Sequence, residues 1–261
     1  MLEGRGPFTD EQWALIASAV GGLTRRGPKG DTRTFIEAVA WIVRSGAPWR
    51  DLAPRFGPWE RVYRRYRRWA VAGRWEALRK RLRETIVGRF FLIESTIVKA
   101  HPHAAGARHD HGAGQAAQAL GRSRGGFTTK VHALVTERGE LVRYRLTGGE
   151  AHDITQAREL VDESAPQRST CVVGDRAYDS AAFVEHIARR GMRAEIPARA
   201  NRKEHRELDA SAYAQRNVIE RWFGRMKVYR RVATRYDKTA SSYLGFVGFA
   251  AMLVALTRWP G

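Results

Sequence analysis

Cysteine is almost missing from this chain: Cys171, inside the apolar run CVV, is the only one. A single thiol makes no internal disulfide and no cysteine-based zinc knuckle, so both kinds of covalent or metal scaffold are excluded. Cys171 reads as a small core residue in a protein kept reduced. Long hydrophobic runs are missing too. The most apolar stretch, YLGFVGFAAMLVAL from Tyr243 to Leu256, is shorter than the roughly 20 residues that cross a bilayer and reads as a buried terminal helix. The start, MLEGRGPFTDEQW, lacks the apolar centre of a signal peptide. The expectation is a soluble cytoplasmic protein with no membrane segment. Acids are scarce as well: 27 Asp and Glu stand against 46 Lys and Arg, a formal net charge of +19. Such an excess repels itself in a compact state and calls for a polyanionic partner. Nucleic acid is the first candidate and an anionic membrane surface the second, with a merely basic enzyme as the plain alternative. The basic residues are spread along the chain rather than gathered on one amphipathic helix, which disfavours the membrane.

What is present is a globular chain of 261 residues, 43% of them hydrophobic, long enough for one large domain or two smaller ones. The first third has helical periodicity. Thr9 and Gln12 have the spacing of a capping box at FTDEQW. DTRTFIEAVAWIVRSG repeats its apolar residues every three or four positions and ends on Gly46, a C-terminal cap. PWERVYRRYRRWAVAG places Val62, Tyr66 and Trp69 on one side, while Arg64, Arg65, Arg67 and Arg68 spread over the rest. Short helices ending in an arginine-rich one suggest a helix-turn-helix-like module over residues 1–88, with Arg64, Arg65 and Arg68 as DNA contacts; the bland alternative is a solvated helix face. RWEALRKRLRETIV is a fourth helix. From about residue 90 the period changes. FFLIESTIVKA, TTKVHALVTE and LVRYRLTGG are successive strands, followed by the helix ITQARELVDES, the strand CVVGD, the helix AAFVEHIARRG and the strand RAEIPAR. One long helical stretch from Ser211 closes the chain. The expectation is an α/β domain over residues 89–261, a mixed sheet with helices on its faces, carrying a flexible loop at about 104–126.

Three acids stand out. Glu94 sits in the first strand, where its neighbours argue for burial. Asp175 follows the strand CVV, at the carboxyl end where ligands of α/β sheets gather; a plain loop acid is the even alternative. Asp179 reads as the cap of the following helix. In YAQRNVIERWFGRMK, treated as one helix, Tyr213, Arg216, Glu220, Gly224 and Lys227 fall on one arc, with Val218, Ile219, Trp222 and Met226 roughly opposite. An Arg216–Glu220 pair is worth only tenths of a kcal/mol on a helix, so stability explains this stripe poorly. If Glu94, Asp175 and Glu220 converge, they repel unless cations sit between them. Two Mg²⁺ ions about 4 Å apart would satisfy them and activate an attacking water or hydroxyl. His101-Pro-His103 lacks a third ligand and favours backbone or DNA contacts, and His152-Asp153 reads as a helix cap.

At these residues the chain resembles the DDE transposases of bacterial insertion sequences, in the insertion-sequence four/five group. The spacing Tyr213-x2-Arg216-x3-Glu220-x6-Lys227 matches that group's Tyr-Arg-Glu-Lys signature, GDRAYDS resembles its second-acid segment and IESTIVKAHPH its first. FTDEQW, GAPWRDLAPRFGPWERVYRRYRRW, GRSRGGFTTKVHAL and RRVATRYDKTA also resemble the group, so the likeness runs nearly end to end. It implies an RNase H-like catalytic domain, Mg²⁺ or Mn²⁺ dependence with two ions per site, and action on double-stranded DNA, both terminal inverted repeats and target, as a homodimer or larger synaptic assembly near the nucleoid. By position, Glu94, Asp175 and Glu220 become metal ligands and catalytic acids. Tyr213, Arg216 and Lys227 hold phosphates, and Arg122, Arg124 and Lys130 are further DNA contacts. One departure is plain: the family's first acid is normally Asp, and Glu94 replaces it. The extra methylene moves the carboxylate by about 1 Å, a shift that can cost around 10²-fold in rate. A transposon-derived DNA-binding protein without catalysis, or a metal-dependent nuclease, are the competing readings.

Overall fold

The computed structural model describes residues 7–23, 32–82, 88–105, 118–123, 125–163, 171–202 and 206–257. The first helix, α1 (Asp10–Gly21), opens with the expected capping box: Gln12 N–H donates to Thr9 Oγ1 at 3.2 Å and Thr9 N–H donates back to Gln12 Oε1 at 3.1 Å. α2 (Thr32–Ser45) buries Phe35, Ile36, Val39, Ile42 and Val43, and ends at Gly46, whose φ of +70° lies in the left-handed region that glycine enters freely. α3 (Trp59–Val71) starts directly after Pro58 and buries Val62, Tyr66 and Trp69, the face read from the sequence. α4 (Arg74–Arg81) buries Trp75 and Leu78.

Strand β1 (Phe90–Ala100) follows, then β2 (Gly121–Ser123), β3 (Gly126–Thr136) and β4 (Leu141–Gly148). The loop expected over 104–126 is therefore shorter at both ends. Pro102–Ala105 forms a 3₁₀ turn, and Gly121–Ser123 pairs with the start of β3. Residues 106–117 and Arg124 lie outside the described residues. Helix α5 (Ala157–Asp162), strand β5 (Cys171–Val173), helix α6 (Ala181–Arg189) and strand β6 (Arg193–Glu195) complete the sheet. β1 runs antiparallel to β3, and β3 to β4, while β5 lies parallel to β1 and β6 parallel to β5. Three antiparallel strands extended by two parallel ones make the mixed sheet RNase H-like, as the resemblance implies. Phe91, Ile93, Leu134, Val142, Leu160, Val172, Phe183 and Ile187 form one core between the sheet and α5 and α6. Side chains alternate along a strand, so Leu92 and Glu94 look to the other face.

The closing stretch is not one helix. It breaks into α7 (Ala210–Ala214), α8 (Asn217–Lys227), α9 (Arg230–Ala233) and α10 (Ala240–Leu256). The break before α8 is a tight turn in which Arg216 N–H donates to Tyr213 O and Ile219 N–H to Arg216 O. The arc drawn through Tyr213, Arg216 and Glu220 as one helix is therefore corrected: only Glu220, Gly224 and Lys227 share α8. Of its expected apolar side, Ile219, Trp222 and Met226 are buried, whereas Val218 is only partly so.

By internal packing the chain divides into two compact units: residues 1–84, 101–107 and 226–261, and residues 85–100 with 108–225. The sequence places a boundary near residue 88 and leaves the C-terminus with the sheet, whereas packing groups α9 and α10 with the N-terminal helices. Within that helical unit α10 lies against α3 and α4. Tyr66 stacks on Phe246 at 4.3 Å between ring centroids and donates its hydroxyl to Ser242 O at 2.5 Å. Gly245 permits the close approach, since a Cβ there would meet Trp75 at 2.8 Å. α10 is buried on nearly every side, and no helix among the described residues is long and apolar enough to cross a membrane.

Candidate active site

All three singled-out acids belong to the sheet unit. Strand register brings the first two together. In the parallel β1–β5 pair, Phe91 lies beside Val172 and Leu92 beside Val173. Counting two residues on from the second pair sets Glu94 level with Asp175, on the same face and at the carboxyl end of β5. Gly174 makes the junction possible, because a Cβ there would sit 2.9 Å from Ile93 Cγ2 and 3.2 Å from Tyr178. Asp175 then caps a 3₁₀ turn, Arg176–Tyr178, by accepting from Ala177 N–H at 2.9 Å.

The third acid is joined through Arg216. One Nη donates to Glu94 Oε2 at 3.2 Å and the other pairs with Glu220 Oε1 at 2.5 Å. Glu94 is the buried member, its side chain 16% exposed against 48% for Glu220. Burial pushes the Glu94 carboxyl up to about 7, and the nearby charge of Asp175 pushes the same way, outweighing the Ser95 N–H bond and the Arg216 guanidinium. Tyr178 is fully buried close by, and its hydroxyl is held well above its ordinary value by burial and by Glu94, Asp153 and Asp175. A carboxyl raised by a neighbouring carboxylate marks a place short of positive charge.

The oxygen-only donors Glu94, Asp175 and Glu220 suit a hard divalent cation such as Mg²⁺ or Mn²⁺, and the raised Glu94 fits a position where one is wanted. Among the described residues no three of His, Cys, Asp and Glu stand close enough to enclose an ion. Glu94 and Asp175 are the adjacent pair, and Glu220 lies across the Arg216 guanidinium. Of the backbone or DNA contacts read for His101 and His103, a backbone contact is present: His103 N–H donates to His101 Nδ1 at 3.2 Å.

Two acids are corrected by their partners. Asp153 was expected to cap a helix, but the turn it opens has no side-chain cap. Asp153 Oδ1 instead accepts from Ser95 Oγ and Lys130 Nζ, each at 2.7 Å. Burial alone would raise this carboxyl, yet the bonds from Lys130 and Ser95 hold it below its ordinary value. Asp179 makes no cap for α6, whose N-cap residue Ser180 makes no side-chain bond. Its side chain is fully buried and accepts from Arg199 N–H at 2.7 Å, Arg202 Nε at 3.0 Å and Arg206 Nη2 at 2.5 Å. No local motif signals either role, since the partners come from other strands and loops.

The predicted DNA contacts fall in varied settings. Tyr213 ends up beneath Arg216, whose guanidinium carbon is 5.9 Å from the ring centre. Lys227 is exposed at the end of α8. Arg64 and Arg68 are exposed on α3, whereas Arg65 lies over the Phe35 ring at 4.2 Å and donates to Thr32 Oγ1 at 3.0 Å. Arg122 is exposed on β2, over Phe127 at 4.9 Å. Lys130, expected near a loop, is buried inside β3 with its ammonium on Ala151 O at 2.5 Å and on Asp153.

The family model for the transposase DDE domain matches residues 86–255, and the model for a putative transposase of the IS4/5 family matches residues 8–79. Among curated proteins, the uncharacterized protein y4sN of Sinorhizobium fredii is 43% identical over 105 residues, 40% of this chain and 84% of its own length. A putative transposase for insertion sequence element IS6501 of Brucella ovis is 34% identical over 131 residues, 50% of this chain and 99% of its own length. Among solved structures, a piggyBac transposase synaptic complex with hairpin DNA aligns over 95% of this chain and 72% of its own, at 10% identity and a TM-score of 0.47.

Proposed function

The chain belongs to the transposase DDE domain family, and from that premise we propose that it cuts DNA at the ends of an insertion sequence and joins the freed 3′ ends to target DNA. The observation that supports this reading is the nearness of Glu94 on β1 to Asp175, just past the end of the parallel strand β5, with Arg216 linking Glu94 to Glu220. Glu94, Asp175 and Glu220 are the residues that would hold divalent metal; when bound, two such ions lower the pKa of an attacking water or 3′ hydroxyl and stabilise the leaving oxygen. The chain's own contribution is placement. β1 carries Glu94, β5 delivers Asp175 just past its end, Gly174 allows the close approach, and Arg216 supplies a positive charge between Glu94 and Glu220. Tyr213, Arg216 and Lys227 would hold phosphates flanking the cut, Arg being suited to a bidentate grip. The helical unit, with the exposed Arg64 and Arg68, would bind the terminal repeats, and two or more copies would pair the ends. Glu94 stands in place of the family's usual Asp, and a reduced rate is the consequence that the displaced carboxylate would have.

The test is incubation of purified protein with labelled DNA carrying the element's inverted repeats and Mg²⁺ or Mn²⁺. End cleavage with joined products, lost in Glu220→Gln, is the expected result. Cleavage without joining indicates a nuclease, and binding alone a protein that retains only DNA recognition.

A further inference from the structure

Asp179 lies four residues beyond Asp175, and the 3₁₀ turn between them ties the two together. Its fully buried carboxylate gathers Arg199, Arg202 and Arg206, which follow β6 in sequence. One carboxylate cannot neutralise three guanidinium groups. Arg202 and Arg206 both pair with it, while Arg199 donates from Nε to Arg176 O and from Nη2 to Ala177 O, two neutral carbonyls of the same turn. Among the described residues Arg199 has no carboxylate in salt-bridge range, and Asp179 is the carboxylate that pairs with both Arg202 and Arg206. The side chains of Arg202 and Arg206 remain 34% and 30% exposed although each pairs with Asp179. Burial alone would raise Asp179, yet the Arg199 N–H and the Arg206 and Arg202 guanidinium groups bring it down to about 2. The carboxylate therefore stays charged, and the arginines stay oriented, across the whole range in which DNA is handled.

We propose that Arg199, Arg202 and Arg206, pinned by the buried Asp179, form a phosphate-binding face that grips the DNA backbone one short turn from Asp175. This rests on the DNA-processing reading above and adds a contact that the acid cluster itself does not provide. Arginine forks pre-ordered on a carboxylate lose little freedom when they meet a phosphate, so the face is built for tight rather than diffuse contact. Asp179 acts through the arginines and is a positioning residue, not a catalytic one.

The experiment measures affinity for a fluorescent mixed-sequence duplex in EDTA across a salt series, with wild type, Arg202→Gln/Arg206→Gln, Asp179→Asn and, as a charge control, Arg189→Gln on α6. Circular dichroism melts establish that each variant is folded. Each phosphate contact contributes about 0.9 to the slope of log K against log salt, so the double variant should flatten that slope by about 1.8 while Arg189→Gln leaves it unchanged. Asp179→Asn makes the protein more positive, yet should weaken binding because the forks lose their pin; tighter binding would remove Asp179 from the proposal. An unchanged slope in the double variant, or an equal change in the control, overturns the phosphate face and leaves the transposase reading standing. A wild type that binds no duplex overturns both.

Discussion

Arg216 and Glu94, 122 positions apart in the chain, meet at 3.2 Å and share the deepest charged contact of the acid cluster. The same guanidinium reaches Glu220, so one cation serves two acids on different elements. The cost of gathering carboxylates is thus partly offset by the fold itself. Replacing Arg216 by Gln leaves Glu94 half-buried beside Asp175 with no counter-charge. The folded-state pKa of Glu94, already raised to about 7, should climb further. Because an acid with a raised folded pKa weakens the native state as pH rises above its unfolded value, the variant's deficit should be small on the acid side of 7 and grow on the alkaline side. A loss of about 1–3 kcal/mol is expected there, read from urea unfolding in EDTA at both pH values. A deficit independent of pH would refute this account of Glu94.

Glu94 also carries the one departure from the family's usual acid. Glu94→Asp withdraws the carboxylate by one methylene from Arg216 and toward the β1 backbone, where the shorter acid normally works. A gain in end cleavage of about 10-fold or more is expected, within the range that an error of about 1 Å can cost. Gel assays of labelled ends in Mg²⁺ give the answer, with Glu94→Gln as the inactive reference. Equal or lower cleavage by the Asp variant would show that the site is tuned to the longer side chain.

On the other face of β1, Lys130 and Asp153 hold Ser95 in place behind Glu94. Their side chains are 10% and 23% exposed, so removing one partner strands the other in a poorly solvated place. Lys130→Met should cost about 3 kcal/mol, and Lys130→Met/Asp153→Asn distinctly less than the sum of the single changes. Denaturant unfolding of the four proteins closes the cycle. Additive effects would mean that the pair contributes nothing beyond its separate parts.

Much of the sheet was legible because its signals are local. The capping box at Thr9, the glycine at the end of α2, the apolar face of α3 and the strands around Glu94 and CVV all follow from spacing within a few residues. The parallel pairing of β1 with β5 that brings Glu94 near Asp175 was not legible, since the sequence showed only that the acids could converge at a sheet edge and strand partners come from far along the chain. The turn at Gln215–Arg216 was not legible, since the residues on both sides fit helical periodicity and a tightened turn keeps much of the same direction. Asp153 and Asp179 were misread for a different reason. Each sits at the start of a helical turn, where a cap is the economical local reading, but their partners arrive from 20 to 58 residues away. Only the folded arrangement decides between a nearby N–H and a distant guanidinium or ammonium.

His132 gives the sharpest pH prediction. It lies on β3 opposite Ser95, fully buried. Thr147 Oγ1 donates its proton to Gly148 O at 3.0 Å, so it accepts from His132 Nε2 at 2.8 Å, and the ring proton belongs on Nε2. Nδ1 is left buried with no partner among the described residues. A second proton would therefore enter without an acceptor. Burial resists it first and the Lys130 ammonium second, with Asp153 offsetting part, and the pKa falls to about 4 from the ordinary 6.5. Above 6.5 both folded and unfolded chains hold a neutral ring, and His132 contributes no pH dependence. Between 6.5 and 4 the unfolded chain takes up a proton on His132 that the folded one refuses, so the His132 contribution falls by about 3 kcal/mol as pH drops through that window, while the raised Glu94 works in the opposite direction over nearly the same range. Asp179, held at about 2, adds its own loss only at lower pH. His132→Gln retains a side-chain donor for Thr147 and has no titrating ring, so its stability relative to wild type should rise by about 3 kcal/mol as pH is lowered from 6.5 to 4. Parallel curves for the two proteins would mean that the buried ring accepts its proton within the fold after all.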